Sequence, residues 1–259
     1  MKLLPAPLAV VLVGVATITT VNAQILANGT FSNDSVLTLA GTPSNEVYGV
    51  AFGANGLSNS SSVTTSNGYV FSADPVNGGP ANVSYDGGRN AQAGGASGSG
   101  TPLATGDPNL ATALNGFEVP ANGPNALVLN GLTAGLTYNL LVLDDDNRGP
   151  TITGNRTFTL TDSNGSAPVS ATQQFEFDSE NAAGGTPGNP NFGGFIEDTF
   201  TATGTSYTVD ITQGNGGQLN GLLLETVPSA VPEPSSYTLI LLGLGLMALV
   251  YQRRGALLG

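Results

Sequence analysis

Wherever a regular pattern shows in this chain, apolar and polar residues alternate with period two, the spacing of a strand with one buried and one wet face. Tyr207, Val209 and Ile211 alternate with Thr208, Asp210 and Thr212, and Phe158 and Leu160 stand between Thr157, Thr159 and Thr161. Phe175 and Phe177 alternate with Gln174, Glu176 and Asp178. Further strands are expected at 35–39, 46–52, 68–72, 81–85, 125–129, 136–143, 195–201 and 218–225. About eleven short strands punctuated by Gly, Asn and Pro predict an all-β fold, a jelly-roll-like β-sandwich. One short helix is predicted at 109–114, because Asp107 suits the N-cap, Pro108 the first turn and Gly116 the stop. The Gly-rich stretches 86–106 and 181–194 read as long surface loops.

Both ends break the alternation. Lys2 precedes an apolar run over 8–18, and Val21, Asn22 and Ala23 put small residues where a signal peptidase reads. A signal peptide at 1–23 is expected, with cleavage between Ala23 and Gln24. At the other end Val231, Pro232, Glu233, Pro234 and Ser235 lead into an uncharged stretch over 237–251, followed by Gln252, Arg253 and Arg254. At about 1.5 Å per residue this stretch and its neighbours reach some 25 Å, enough for a short transmembrane helix with snorkelling arginines. Arg253 and Arg254 place the end of the span in the cytoplasm. The expected organisation is therefore a signal peptide at 1–23, an exported sandwich at 24–230, a tail at 231–254 and a cytoplasmic end at 255–259.

The order Pro-Glu-Pro, short apolar span, basic pair resembles the PEP-CTERM sorting signal of Gram-negative bacteria. The resemblance implies recognition at Val231, Pro232, Glu233 and Pro234 by an exosortase, a membrane transpeptidase-like enzyme, after transient residence in the inner membrane. It also implies a place at the cell surface or in an exopolysaccharide or biofilm matrix. Two prolines close together hold the backbone extended and free of helix, as a processing enzyme requires.

Composition narrows the chemistry. Charged residues make up only 9% of the chain and apolar ones 40%, so solubility rests on Ser, Thr, Asn and Gly. There is no His, Cys or Trp, and Lys2 is the one lysine. Imidazole bases, thiolate nucleophiles, disulfides and zinc-thiolate sites are thereby excluded, as are phosphate-loop lysines and Schiff bases. Setting Glu233 apart from the 18 acids, and Lys2, Arg253 and Arg254 apart from the 6 basic residues, leaves 17 against 3 in the body, a net charge of −14. Such a surface repels nucleic acid and anionic headgroups.

Carboxylates and hydroxyls remain. Asp144, Asp145 and Asp146 follow the most apolar strand; three adjacent acids repel unless compensated. Oxygen donors of this kind suit calcium, the only cofactor the sequence suggests; the alternative is a solvated turn braced by Arg148 or Arg156. Glu197 with Asp198, or Glu176 with Asp178, offers a carboxylate pair of the kind a glycosidase uses. Tyr48, Tyr69, Tyr85, Tyr138 and Tyr207 are the aromatic rings a sugar would stack on, or else core residues.

The run from Asn130 through Gly131, Leu132, Thr133, Ala134, Gly135 and Leu136 to Thr137 and Tyr138 is one of three stretches that resemble bacterial jelly-roll modules of the galactose-binding-like class. The others run from Asp198 to Ala202 and from Leu219 to Leu224. The functional expectation is an exported, exosortase-sorted, non-enzymatic surface or matrix protein associated with exopolysaccharide. A carbohydrate-binding module with a site on its end loops is the alternative, and a carboxylate glycosidase stands behind both.

Overall fold

The computed structural model describes residues 24–31, 34–52, 61–73, 82–85, 107–114, 116, 124–144, 155–162, 169–176, 193–214, 219–228, 243–247 and 253. The strands among them are β1 (Gln24–Phe31), β2 (Glu46–Ala51), β3 (Ser62–Thr64), β4 (Val70–Ala73), β5 (Val83–Tyr85) and β6 (Pro124–Asn130). They continue with β7 (Thr137–Asp144), β8 (Asn155–Asp162), β9 (Val169–Glu176), β10 (Gly193–Thr201), β11 (Ser206–Gly214) and β12 (Gly221–Thr226). The helix α1 spans Pro108–Leu114, and 3-10 turns occupy Asp34–Leu39 and Pro43–Asn45.

The strands form a seven-stranded sheet, ordered β1-β10-β7-β12-β2-β4-β3, and a five-stranded sheet, ordered β5-β6-β11-β8-β9. Every pairing is antiparallel except β2 with β4. The inner faces meet in one apolar layer. Tyr138, Leu140, Val142, Leu222, Leu224, Ile196 and Phe200 from the larger sheet pack against Leu127, Leu129, Phe158, Leu160, Val209 and Ile211 from the smaller. Rings stack across this layer. Phe200 lies 3.5 Å from Tyr207 at 4° between planes, and 5.6 Å from Tyr138 at 22°.

The larger sheet is covered on its outer face as well. Leu141, Leu143, Leu223, Ala51 and Phe71 project there and are buried by Val36 and Leu37 of the first 3-10 turn and by Leu110, Ala113 and Leu114 of α1. The helix is anchored as its sequence demands. Asp107 Oδ1 accepts the N–H of Asn109 at 2.8 Å and of Leu110 at 3.4 Å, while its Oδ2 accepts the N–H of Ser66. Burial alone would raise the Asp107 carboxyl pKa, but these three backbone donors outweigh it and hold it below the usual range.

The all-β, two-sheet architecture agrees with the alternation, and four details differ. Residues 35–39 form a 3-10 turn rather than a strand, because Val36 and Leu37 are both buried while Ser35, Thr38 and Leu39 are exposed. Two successive side chains can enter the same core from a tight turn but not from a pleated strand. The strand β1 was not foreseen. Its register with β10 shifts between Ile25 and Ala27, a bulge that breaks the period-two pattern. The short β3 lies in a Ser-rich segment that reads as loop. The strand expected around Phe175 is β9, which runs earlier, over Val169–Glu176.

No helix among the described residues is long and apolar enough to cross a membrane. Residues 243–247 are helical and expose Leu244, Leu246 and Met247; most of the span expected at 237–251, and all of the signal peptide expected at 1–23, lie outside the described residues.

Candidate functional site

The final strand delivers the tail. The body's last described backbone bond there is from Val227 N–H to the carbonyl of Thr137, 2.9 Å, at the start of β7. Five residue steps separate Val227 from Pro232, at most about 17 Å of extended chain. Val231, Pro232, Glu233 and Pro234 themselves lie outside the described residues. Arg253 is described and exposed, and Arg254 is not described.

Among the described residues, the carboxylates read from the sequence do not gather into one cluster. Asp144 closes β7 opposite Gly194 and is fully buried, whereas Asp145 and Asp146 are outside the described residues. No group of three acids able to hold a metal ion is found among the described residues. Glu197 and Asp198 are neighbours on β10, so the pleat sends them to opposite faces of the sheet. Glu197 accepts from Asn139 Nδ2 at 2.7 Å on the outer face, and Asp198 faces Tyr207 in the inner layer. They do not converge on one substrate bond. Glu176 ends β9 and Asp178 is outside the described residues. Nor do the tyrosines offer a platform: Tyr69, Tyr138 and Tyr207 are buried, and Tyr48 and Tyr85 pack against the inter-sheet core.

Two carboxylate environments appear that periodicity did not single out. In the first, Asp198 and Asp162 flank the Tyr207 hydroxyl between the sheets. Asp198 Oδ2 is 3.5 Å from that hydroxyl, and its Oδ1 has no hydrogen-bond partner. Burial, reinforced by the neighbouring Asp162 charge, pushes the Asp198 pKa up to about 7. Burial and the same two carboxylates raise that of Tyr207.

The second environment is a polar row crossing the outer face near the exit of the tail. Gln24 pairs with Thr199, Thr199 with Asn139, Asn139 with Glu225, and Glu225 with Glu46. Asn139 Nδ2 donates to the carbonyls of Leu39 at 2.9 Å and Ala40 at 3.2 Å, clamping the end of the 3-10 turn onto the sheet. Thr199 Oγ1 donates to Asn139 Oδ1 at 2.9 Å. Glu225 is fully buried beside the Tyr69 hydroxyl and the Thr42 N–H, yet neither of its oxygens makes a hydrogen bond of good geometry; the Tyr69 hydroxyl donates instead to the Gly41 carbonyl at 2.9 Å. Burial lifts the Glu225 pKa to about 7, and burial also raises that of Glu46. Gly41, at φ 143°, leaves room for the Glu225 carboxyl, which a Cβ would strike. A signal for this row lay in the sequence: Asn139 and Glu225 are polar interruptions of otherwise apolar strands.

These features define an all-β, two-sheet body whose described acids lie mostly in or against its core. Comparison with known proteins specifies the tail. The PEP-CTERM protein-sorting motif matches residues 230–254, and this makes the chain an exosortase-sorted surface protein with a membrane-anchored, exported precursor. No curated protein matches the chain. Among solved structures, a family GH115 4-O-methyl-α-glucuronidase with specificity for decorated arabinogalactans is similar at 14% identity and a TM-score of 0.30. That likeness covers 44% of this chain and 15% of the enzyme's length.

Proposed function

We propose that the protein is a non-catalytic, jelly-roll-like display domain of the cell surface or the exopolysaccharide matrix. It is exported by a signal peptide cut between Ala23 and Gln24, held in the inner membrane by the 237–251 span with Arg253 and Arg254 inside, and released by exosortase at Pro232, Glu233 and Pro234. The observation that carries the reading is the sorting motif at 230–254, set directly behind a folded body whose last strand ends at Thr226. Two further features favour a non-catalytic role: Glu197 and Asp198 face opposite sides of β10, and the tyrosines serve the core. Replacing Pro232, Glu233 and Pro234 by alanine is expected to keep the protein in the membrane fraction of the host. Release of this variant at the wild-type level would overturn the sorting role. Saturable binding of the body to the host's exopolysaccharide, read by calorimetry with and without calcium, tests the matrix association.

A further inference from the structure

The end of the sandwich from which the tail departs differs from the rest of the surface in two independent ways. The large apolar side chains of the body that are exposed among the described residues are Leu39, Val47, Val70, Leu136 and Val227, each between 36% and 40% exposed. All five stand at this one end. Val227 follows β12 and bonds to Thr137, Leu136 precedes β7, and Val47 lies at the start of β2, antiparallel to β12. Val70 starts β4, parallel to β2, and the Leu39 carbonyl is held by Asn139 near the start of β7. The five form a rim around the point where the chain leaves the fold.

Charge is distributed in the opposite sense. The described segments at this end, 39–45, 131–136, 202–206 and 226–228, contain no charged residue, in a body with 17 acids. The acids nearest the rim are the half-buried Glu46, whose carboxylate accepts the Val70 N–H at 3.0 Å, the half-buried Asp34, and Glu225 and Asp107, which are both buried. The opposite strand ends lead into acidic stretches of sequence. The connections that follow Ala73, Tyr85, Asp144 and Glu176 carry Asp74, Asp86, Asp145, Asp146, Asp178 and Glu180.

We infer that this uncharged, apolar-rimmed end is a docking face for the lipid surface, seating the body on the membrane while the precursor awaits processing. The inference rests on the anchored precursor described above and adds its orientation. Ten residue steps from Val227 to Tyr237 allow at most about 34 Å of slack, so the body stays within reach of the headgroups. Which end turns toward them is decided by the surface. The exposed Leu and Val side chains gain by leaving water at the interface, whereas the acidic stretches that follow the opposite strand ends are repelled by anionic headgroups. The far-end connections then face outward, and the Pro232 to Pro234 segment is confined to the gap between body and bilayer.

The native chain has no cysteine, so single labels report cleanly. The full-length chain, reconstituted in phosphatidylcholine vesicles, would carry a fluorophore in turn at Leu136→Cys, Val47→Cys, Pro124→Cys and Leu244→Cys. Quenchers are placed at headgroup depth or in the acyl chains. Docking predicts strong headgroup quenching at 136 and 47, little at the far-end position 124, and acyl-chain quenching at 244. The double variant Leu136→Ser, Val227→Ser, altered only at exposed sites, should lower the quenching of the label at 47. Phosphatidylglycerol vesicles should lower it too. Quenching at 244 with none at 136 or 47 beyond that at 124 would overturn the docking and leave the anchor intact. Absence of quenching at 244 would instead overturn the anchored precursor, and the docking with it.

Discussion

β7 and β8 are both eight residues long and both end in aspartate, yet they obey different rules. β7 lies in the middle of the larger sheet and is buried from Tyr138 to Asp144, on both faces. β8 lies in the smaller sheet; Phe158 and Leu160 face the core, and Thr159 and Thr161 remain partly exposed. Among the described residues an outer layer covers the larger sheet and not the smaller, which accounts for the contrast. A strand covered on both sides reads as a continuous apolar run, and one with a single covered side alternates.

The largest expected effect comes from testing whether the outer layer is packed as tightly as the inner one. Leu140→Ala, facing the other sheet, and Leu141→Ala, facing the 3-10 turn and α1, should each cost about 2–5 kcal/mol in denaturant unfolding of the body. A cost at Leu141 far below that at Leu140 would mean the outer cover is loose.

The next prediction separates the two layers by pH. Asp198 in the inner layer and Glu225 in the outer both titrate near 7 in the folded protein, against about 4 when unfolded. The folded state therefore holds protons that the unfolded chain has released, and stability should fall as pH rises from about 4 to 7. Asp198→Asn should flatten the part due to Asp198. Glu225→Gln should flatten the part due to Glu225. Unchanged pH profiles in both variants would contradict the assignment.

A smaller effect is expected at Asp107→Ala, about 0.5–2 kcal/mol from the lost cap of α1, measured by the same unfolding curves. The smallest is expected on the wet face of β8, where Thr161→Val should change stability by less than about 0.5 kcal/mol.

These elements also show what could be read in advance. Strands that alternate, such as β8 and β11, and the capped helix behind Asp107 and Pro108, were legible because local rules fix them. The bulged β1, the 3-10 turn at Asp34–Leu39 and the three-residue β3 were not, because each takes its form from a neighbour: β10, the outer face of the larger sheet, and β4. The sorting motif was fully legible, since an extended recognition sequence carries its information in the residues themselves. The environments of Asp198 and Glu225 were hidden, because each is assembled by cross-strand register from residues distant in the chain.

The most direct test of the sorted-surface account is the mass of the protein recovered from outside the cell. The account predicts a chain that begins at Gln24 and has lost everything from Tyr237 onward. Recovery of peptides spanning Leu244 to Arg254 from that extracellular species would contradict it.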